Sequence, residues 1–283
     1  MKRTLSPLLA LCLLPACGKS KTPDSTTPDD GAAAAATEGS PSADDPPAEA
    51  PPAQDPDPAE LAQGVHQVLT GHYEEGIQIL EPIHTGMREP NQYRASGLAG
   101  GWLAVAHSQI VFENAEAPAQ YALEMAGKLQ DPEVDAVAKL GRGAYLLAQE
   151  DYAAAKQVLE AAAAAAPSTG PGAYAYILHA EAMIGTAFGS ASNTQLEKPE
   201  DLDVAKRSYE AAVKSAESNA KEKEILLGRA KEGLAAVAKY QRDQKALCSN
   251  AYASVDHYKA AGASTFLLDG PTRLASDAKC DKQ

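Results

Sequence analysis

The chain has 283 residues, of which 38 are Asp or Glu and 25 are Lys or Arg, so its formal net charge at pH 7 is −13. Such an acidic balance is repelled by phosphate backbones and anionic headgroups. It argues against nucleic acid as a partner and against membrane contact through the folded surface.

Met1-Lys2-Arg3 is basic and is followed from Leu5 to Leu14 by an apolar run. About ten such residues cannot span a bilayer, but they make a signal-peptide core. The run closes on Leu14-Pro15-Ala16-Cys17, with Gly18 next. This resembles the lipobox of bacterial lipoproteins, in which a Leu three residues before the Cys and a small residue just before it mark cleavage by signal peptidase II. The resemblance implies that residues 1–16 are a leader and that Cys17 is lipidated. It also implies export and anchoring in the cell envelope, at the outer membrane facing the periplasm. Each buried acyl methylene contributes about 0.8 kcal/mol, and more than one acyl chain makes the anchor stable. The later Ala-rich run Ala161–Ala166 stops at Pro167 and reads as a helix end rather than a span.

Lys19 to Pro58 holds nine Pro, nine acidic residues and two Lys, with no aromatic residue and no Leu, Ile, Val or Met. It buries too little apolar surface to offset its ordering entropy, so residues 17–58 are expected to form a disordered tether. A flexible coil of about 40 residues has an r.m.s. reach on the order of 35 Å.

From Ala59 to Gln283 there are 21 basic and 29 acidic residues, a net −8, in a stretch rich in Ala, Leu, Glu, Lys and Gln. Alternating β-branched runs are missing, so 59–283 is predicted to be helical almost throughout. The first helix pair starts at Ala59, and Tyr93–Phe112 with Ala117–Leu129 makes the second. In the third, Ala136–Pro167, Leu140, Ala144 and Leu147 stripe one helix, Glu150-Asp151-Tyr152 turns, and Ala155, Val158, Leu159 and Ala162 stripe the next. Ala173–Phe188 with Leu202–Ala216 is the fourth pair. Its connection, Ser190–Pro199, is polar and long enough to be a functional candidate. The fifth pair, Ala220–Tyr240 with Lys245–Ala261, is followed by a short segment in which Pro271 is expected at a first helical position.

In the third pair Gly143, Tyr152, Ala155, Leu159, Ala162 and Pro167 stand at the spacing of small residue, turn Tyr, early Ala, bulky apolar residue, small residue and closing Pro. This resembles the tetratricopeptide repeat (TPR). The first pair offers Gly64, Tyr73, Gly76 and Leu80 at the corresponding places. Small residues there are expected to let paired helices cross closely, Gly64 against Gly76 and Gly143 against Ala155. The resemblance implies an all-α fold, a right-handed α-α superhelix of about five TPR-like hairpins whose concave groove binds a partner's peptide or helix. Trp102, Arg142, Tyr145 and Tyr176 are candidate groove contacts, because Trp, Tyr and Arg are favoured anchors.

Cys12 departs with the leader and Cys17 is taken by lipid, which leaves Cys248 and Cys280 as the only pair in an oxidising compartment. Either they form a bridge, contributing about 3–4 kcal/mol through loop closure, or they are two buried thiols.

Motifs for chemistry are missing. His66, His72 and His84 lack metal-site spacing, and Gly141-x-Gly143 lacks the third Gly of a dinucleotide loop. Gly97, Gly100 and Gly101 lack the Lys-Ser or Lys-Thr of a phosphate loop and read as close-packing positions. No catalytic residue, metal ligand or cofactor is therefore assigned. The reading that results is a protein-interaction scaffold or adaptor of the kind used in outer-membrane, secretion or pilus assembly, with an unidentified protein or peptide as partner. The alternative is an enzyme, or a dedicated enzyme subunit, of envelope or peptidoglycan metabolism, which a pocket of convergent acids would favour.

Overall fold

The computed structural model describes residues 51–190, 193, 195–219 and 221–280. The leader, the lipidation site Cys17 and the tether up to residue 50 lie outside the described residues. The end of the segment read as tether is held in place. Residues 51–58 lie along the start of the second helix pair, where Asp55 N donates to Asn91 O at 2.7 Å and Arg94 N donates to Gln54 Oε1 at 2.9 Å. Asp57 forms an ion pair with Arg94. Hydrogen bonds and an ion pair, rather than apolar burial, attach this strap.

The described residues form eleven α-helices and no strand. They are α1 (Ala59–Leu69), α2 (Tyr73–Gly86), α3 (Tyr93–Ile110), α4 (Glu116–Leu129), α5 (Pro132–Ala148) and α6 (Tyr152–Ala165), then α7 (Gly170–Phe188), α8 (Glu200–Glu217), α9 (Lys223–Tyr240), α10 (Gln244–Ala260) and α11 (Thr265–Asp277). Each packs on the next, and each odd-numbered helix also packs on the next odd-numbered one. The odd helices therefore make an inner layer and the even ones an outer layer, as in a helical repeat. Buried side chains from all eleven merge into one core.

Local chemistry marks the ends. Asp131, Asp151, Thr169 and Asp243 cap α5, α6, α7 and α10 by accepting from backbone N–H groups of the first turn. Four connections share one turn: Asp151 N donates to Leu146 O while Glu150 N donates to Leu147 O, and the same pair of bonds recurs at His72, Asp243 and Ala263. The turn places one residue in the left-handed region. Gly71 and Gly262 fill that position in two cases, but Glu150 at φ 63° and Arg242 at φ 60° fill it in the others.

The close crossings differ in detail from the expectation. A Cβ on Gly143 would lie 2.4 Å from Leu159, so the small residue makes room for the bulky one rather than for Ala155. Gly64 likewise receives Leu80, while Gly76 sits against Val68 and approaches the carbonyl of Gly64. Tyr73, Tyr152, Ala155 and Ala162 are buried. Pro167 is exposed, and its role is to stop α6 rather than to pack; its carbonyl accepts from Ser215 Oγ at 2.7 Å. The glycines of α3 and α5 do bring the inner layer together, for a Cβ on Gly141 would lie 2.6 Å from the carbonyl of Gly101. Pro271, expected to start a helix, lies inside α11 and is buried.

The two ends of the array meet. Arg229 on α9 donates through Nε and Nη2 to Leu69 O, at 3.1 and 2.9 Å, and through Nη2 to the Tyr73 hydroxyl at 3.1 Å. Ser264 N donates to Thr70 O at 2.9 Å, and the Tyr73 and Phe266 rings meet edge-on. The turn between α1 and α2 is thereby fastened to α9 and to the start of α11. Cys248 and Cys280 are joined by a disulfide, with Cα atoms 5.6 Å apart, which ties the end of α11 to α10.

Candidate binding site

An open cavity of about 700 Å³ lies against the inner layer. Its floor is apolar, built by Leu61, Val65 and Leu69 of α1 with Leu98 and Trp102 of α3. Its rim is polar and comes from separate stretches: Asp57 of the strap, Glu133 at the start of α5, Thr169 and Gly170 at the start of α7, and Ser218, Asn219, Lys221 and Glu222 before α9. Arg94 shapes one side by holding Asp57, Glu133 and Asp131 together. On the other side His66 Nδ1 lies 3.3 Å from Glu222 Oε2. Apolar floors with a few placed polar groups are the usual form of a binding pocket.

Beneath the floor lies a cluster of half-buried charged side chains and buried phenols. The Trp102 ring stacks on Tyr174 with centroids 6.0 Å apart, and the Arg229 guanidinium sits 5.1 Å above the same Tyr174 ring. The Tyr258 hydroxyl donates to Glu232 Oε2 at 2.6 Å. Glu181 of α7 makes no ion pair or hydrogen bond among the described residues. Burial pushes its carboxyl up to about 7, with Glu232 pushing in the same direction and Arg229 opposing. The hydroxyls of Tyr174 and Tyr209 are buried without a partner among the described residues.

Of the four residues expected to line a groove, the structure brings only Trp102 to the cavity, and it does so as a floor residue with 3% of its surface exposed. Tyr145 is a core residue, packed with Ala104, Ala115 and Ala119, so it offers no surface to a partner. Arg142 lies over its ring at 5.1 Å, and Tyr176 packs against the main core without reaching the cavity. An aromatic at helical spacing is a core residue more often than a contact, and packing decided Tyr145 in that direction, while Tyr176 and Arg142 are half-buried. The Ser190–Pro199 connection folds back on α7, where the backbone N–H groups of Glu197 and Lys198 both donate to Ala187 O. Its described part closes a helix end.

The strap and the interior charges escape the sequence reading. Glu181 stands between Ala180 and Ala182 and Arg229 between Gly228 and Ala230, and those interruptions are a local signal, whereas Glu232 follows Lys231 and carries none. No group of three or more His, Cys, Asp or Glu suited to a metal is found among the described residues. No described helix is long and apolar enough to cross a membrane. No protein-family model, curated protein or solved structure matches the chain.

Proposed function

We propose that this chain is a lipid-anchored scaffold of the cell envelope, held at the outer membrane through Cys17 and facing the periplasm. In this reading its helical array is a right-handed TPR-like superhelix that binds a segment of a partner protein, with no chemistry of its own. The observation that supports it best is the inner cavity, whose apolar floor and polar rim come from five separate stretches of the chain. Such a site has the size of a few side chains rather than of an extended groove, so the partner is expected to insert a short apolar anchor.

The test is site-specific photocrosslinking in the full chain, in its native host. A photoreactive residue in place of Ala62, on the exposed side of the cavity, should give a discrete protein adduct, while one in place of Glu74 on the outer helix α2 should not. Adducts of equal yield from both positions, or none from Ala62, would defeat the cavity as the binding site. Cys17→Ala should leave unprocessed precursor and abolish fatty-acid labelling; persistent labelling would defeat the anchor.

A second reading is favoured by one observation. Glu181 and Glu232 lie within electrostatic reach of each other and of Arg229, and a carboxyl titrating near neutrality is a feature of acid–base sites. Neither acid lines the cavity, which weighs against an enzyme of envelope or peptidoglycan metabolism.

A further inference from the structure

A second surface lies at the far end of the array. Between α10 and α11 runs a groove of about 1180 Å³, on the side of these helices that no other described element covers. Tyr252 and Val255 of α10 with Leu268 and Ala275 of α11 form its floor. Lys245, Lys259 and Lys279 stand around it, each exposed and none with its ammonium group in an ion pair or hydrogen bond among the described residues. Asp256 is the one acid in the lining.

Three free ammonium groups about an apolar floor are out of keeping with a chain of net charge −13. The groove is also braced. The disulfide between Cys248 and Cys280 lies in its wall, the Tyr252 hydroxyl donates to Cys280 O at 2.8 Å, and Gln244 Nε2 donates to Ala278 O at 2.8 Å. Bracing removes much of the ordering cost that a partner would otherwise meet.

We propose that this groove is a docking surface for an acidic amphipathic helix of a partner protein. Throughout the array each helix is seated against the one before it, and the face between α10 and α11 presents the same kind of seat to a helix from outside. The apolar side of that helix would cover Val255 and Leu268, and its carboxylates would meet the three lysines. The chain's own acidic tether is a poor occupant, because Lys19–Pro58 has no Leu, Ile, Val, Met or aromatic residue to place on the floor. A second copy is a poor one too, since pairing this face with itself sets lysines against lysines. The inference holds whether or not the inner cavity engages a partner.

The experiment uses the full mature chain in detergent and a fluorescent, stapled helical peptide of about 18 residues with Leu and Ala on one face and Glu on the other, a length matched to one helix of the array. A twin peptide carries Lys in place of Glu. Fluorescence anisotropy should show the acidic peptide binding, more weakly as salt rises, with the twin at least about tenfold weaker. Lys245→Glu with Lys259→Glu should weaken the acidic peptide by about tenfold or more while leaving the melting temperature unchanged, as these side chains are exposed. Amine labelling should show Lys245, Lys259 and Lys279 protected by the peptide and Lys128 of α4 not. Equal binding of both peptides, or unchanged binding in the double variant, would overturn the proposal. So would tighter binding of a peptide of residues 19–50, or dimerisation of the chain that protects the same lysines.

Discussion

Glu181 is a carboxyl set between two alanines on α7 and away from any ion pair among the described residues. Its carboxyl is pushed up to about 7 from an ordinary 4.5, first by burial. A group that binds its proton more tightly in the fold than in the unfolded chain stabilises the fold fully below about 4.5. That contribution is lost as pH rises to about 7. Glu181→Gln should therefore flatten the dependence of the melting temperature on pH across this window and melt higher than the unmodified chain at pH 8. The two should converge near pH 4. Parallel profiles in differential scanning calorimetry would mean that Glu181 is ionised in the fold without penalty. Trp102 and Tyr145 teach a related lesson, since both have the chemistry of contact residues and both were buried by other helices, Trp102 against Tyr174 of α7 and Tyr145 against alanines at α3 and α4.

At the scale of the helix, the recurring device is an outer-layer side chain seated on an inner-layer glycine. Tyr152 covers Gly185, Tyr209 covers Gly233 and Tyr258 covers Gly228, each so closely that a Cβ would lie 2.1 to 2.5 Å from the ring. Gly233→Ala should thus destabilise the fold by about 1–3 kcal/mol, because the Tyr209 ring is fully buried and has nowhere to move. Gly127→Ala is the control. Gly127 is exposed on α4 with open space about it, so the same change should stabilise by about 0.5–1 kcal/mol through helix propensity. Chemical denaturation of the two variants checks both signs. Helix positions were legible in the sequence because caps, turns and apolar spacing are local signals. The glycine seats were partly legible, as at Gly143 and Gly64, but which side chain fills each seat depends on the angle at which helices cross.

For the whole molecule the informative contact is the one between the first turn and the ninth helix. Arg229 holds the carbonyl of Leu69 and the hydroxyl of Tyr73 across a separation of 160 and 156 residues. Arg229→Met keeps much of the apolar stem but leaves that carbonyl without its donor, and hydrogen bonds from a charged donor are worth about 1.5–3 kcal/mol. The variant should lose stability on that scale and exchange amide hydrogens faster at Thr70–Tyr73 than the unmodified chain, with little change on α5 and α6. Uniformly faster exchange would show that the contact belongs to a single cooperative unit rather than to a latch.

The sequence by itself determined that this protein is helical, roughly where its helices start and stop, and that they come in pairs. Those features follow from propensity, capping and periodicity, which act over a few residues. Only the tertiary structure decided that the array returns on itself, that the strap at 51–58 docks on Arg94, and that Tyr145, expected in a groove, became core. Each of these depends on contacts between residues far apart in the chain, such as Arg229 with Leu69 and Arg94 with Asp57, and no local stretch of sequence displays them.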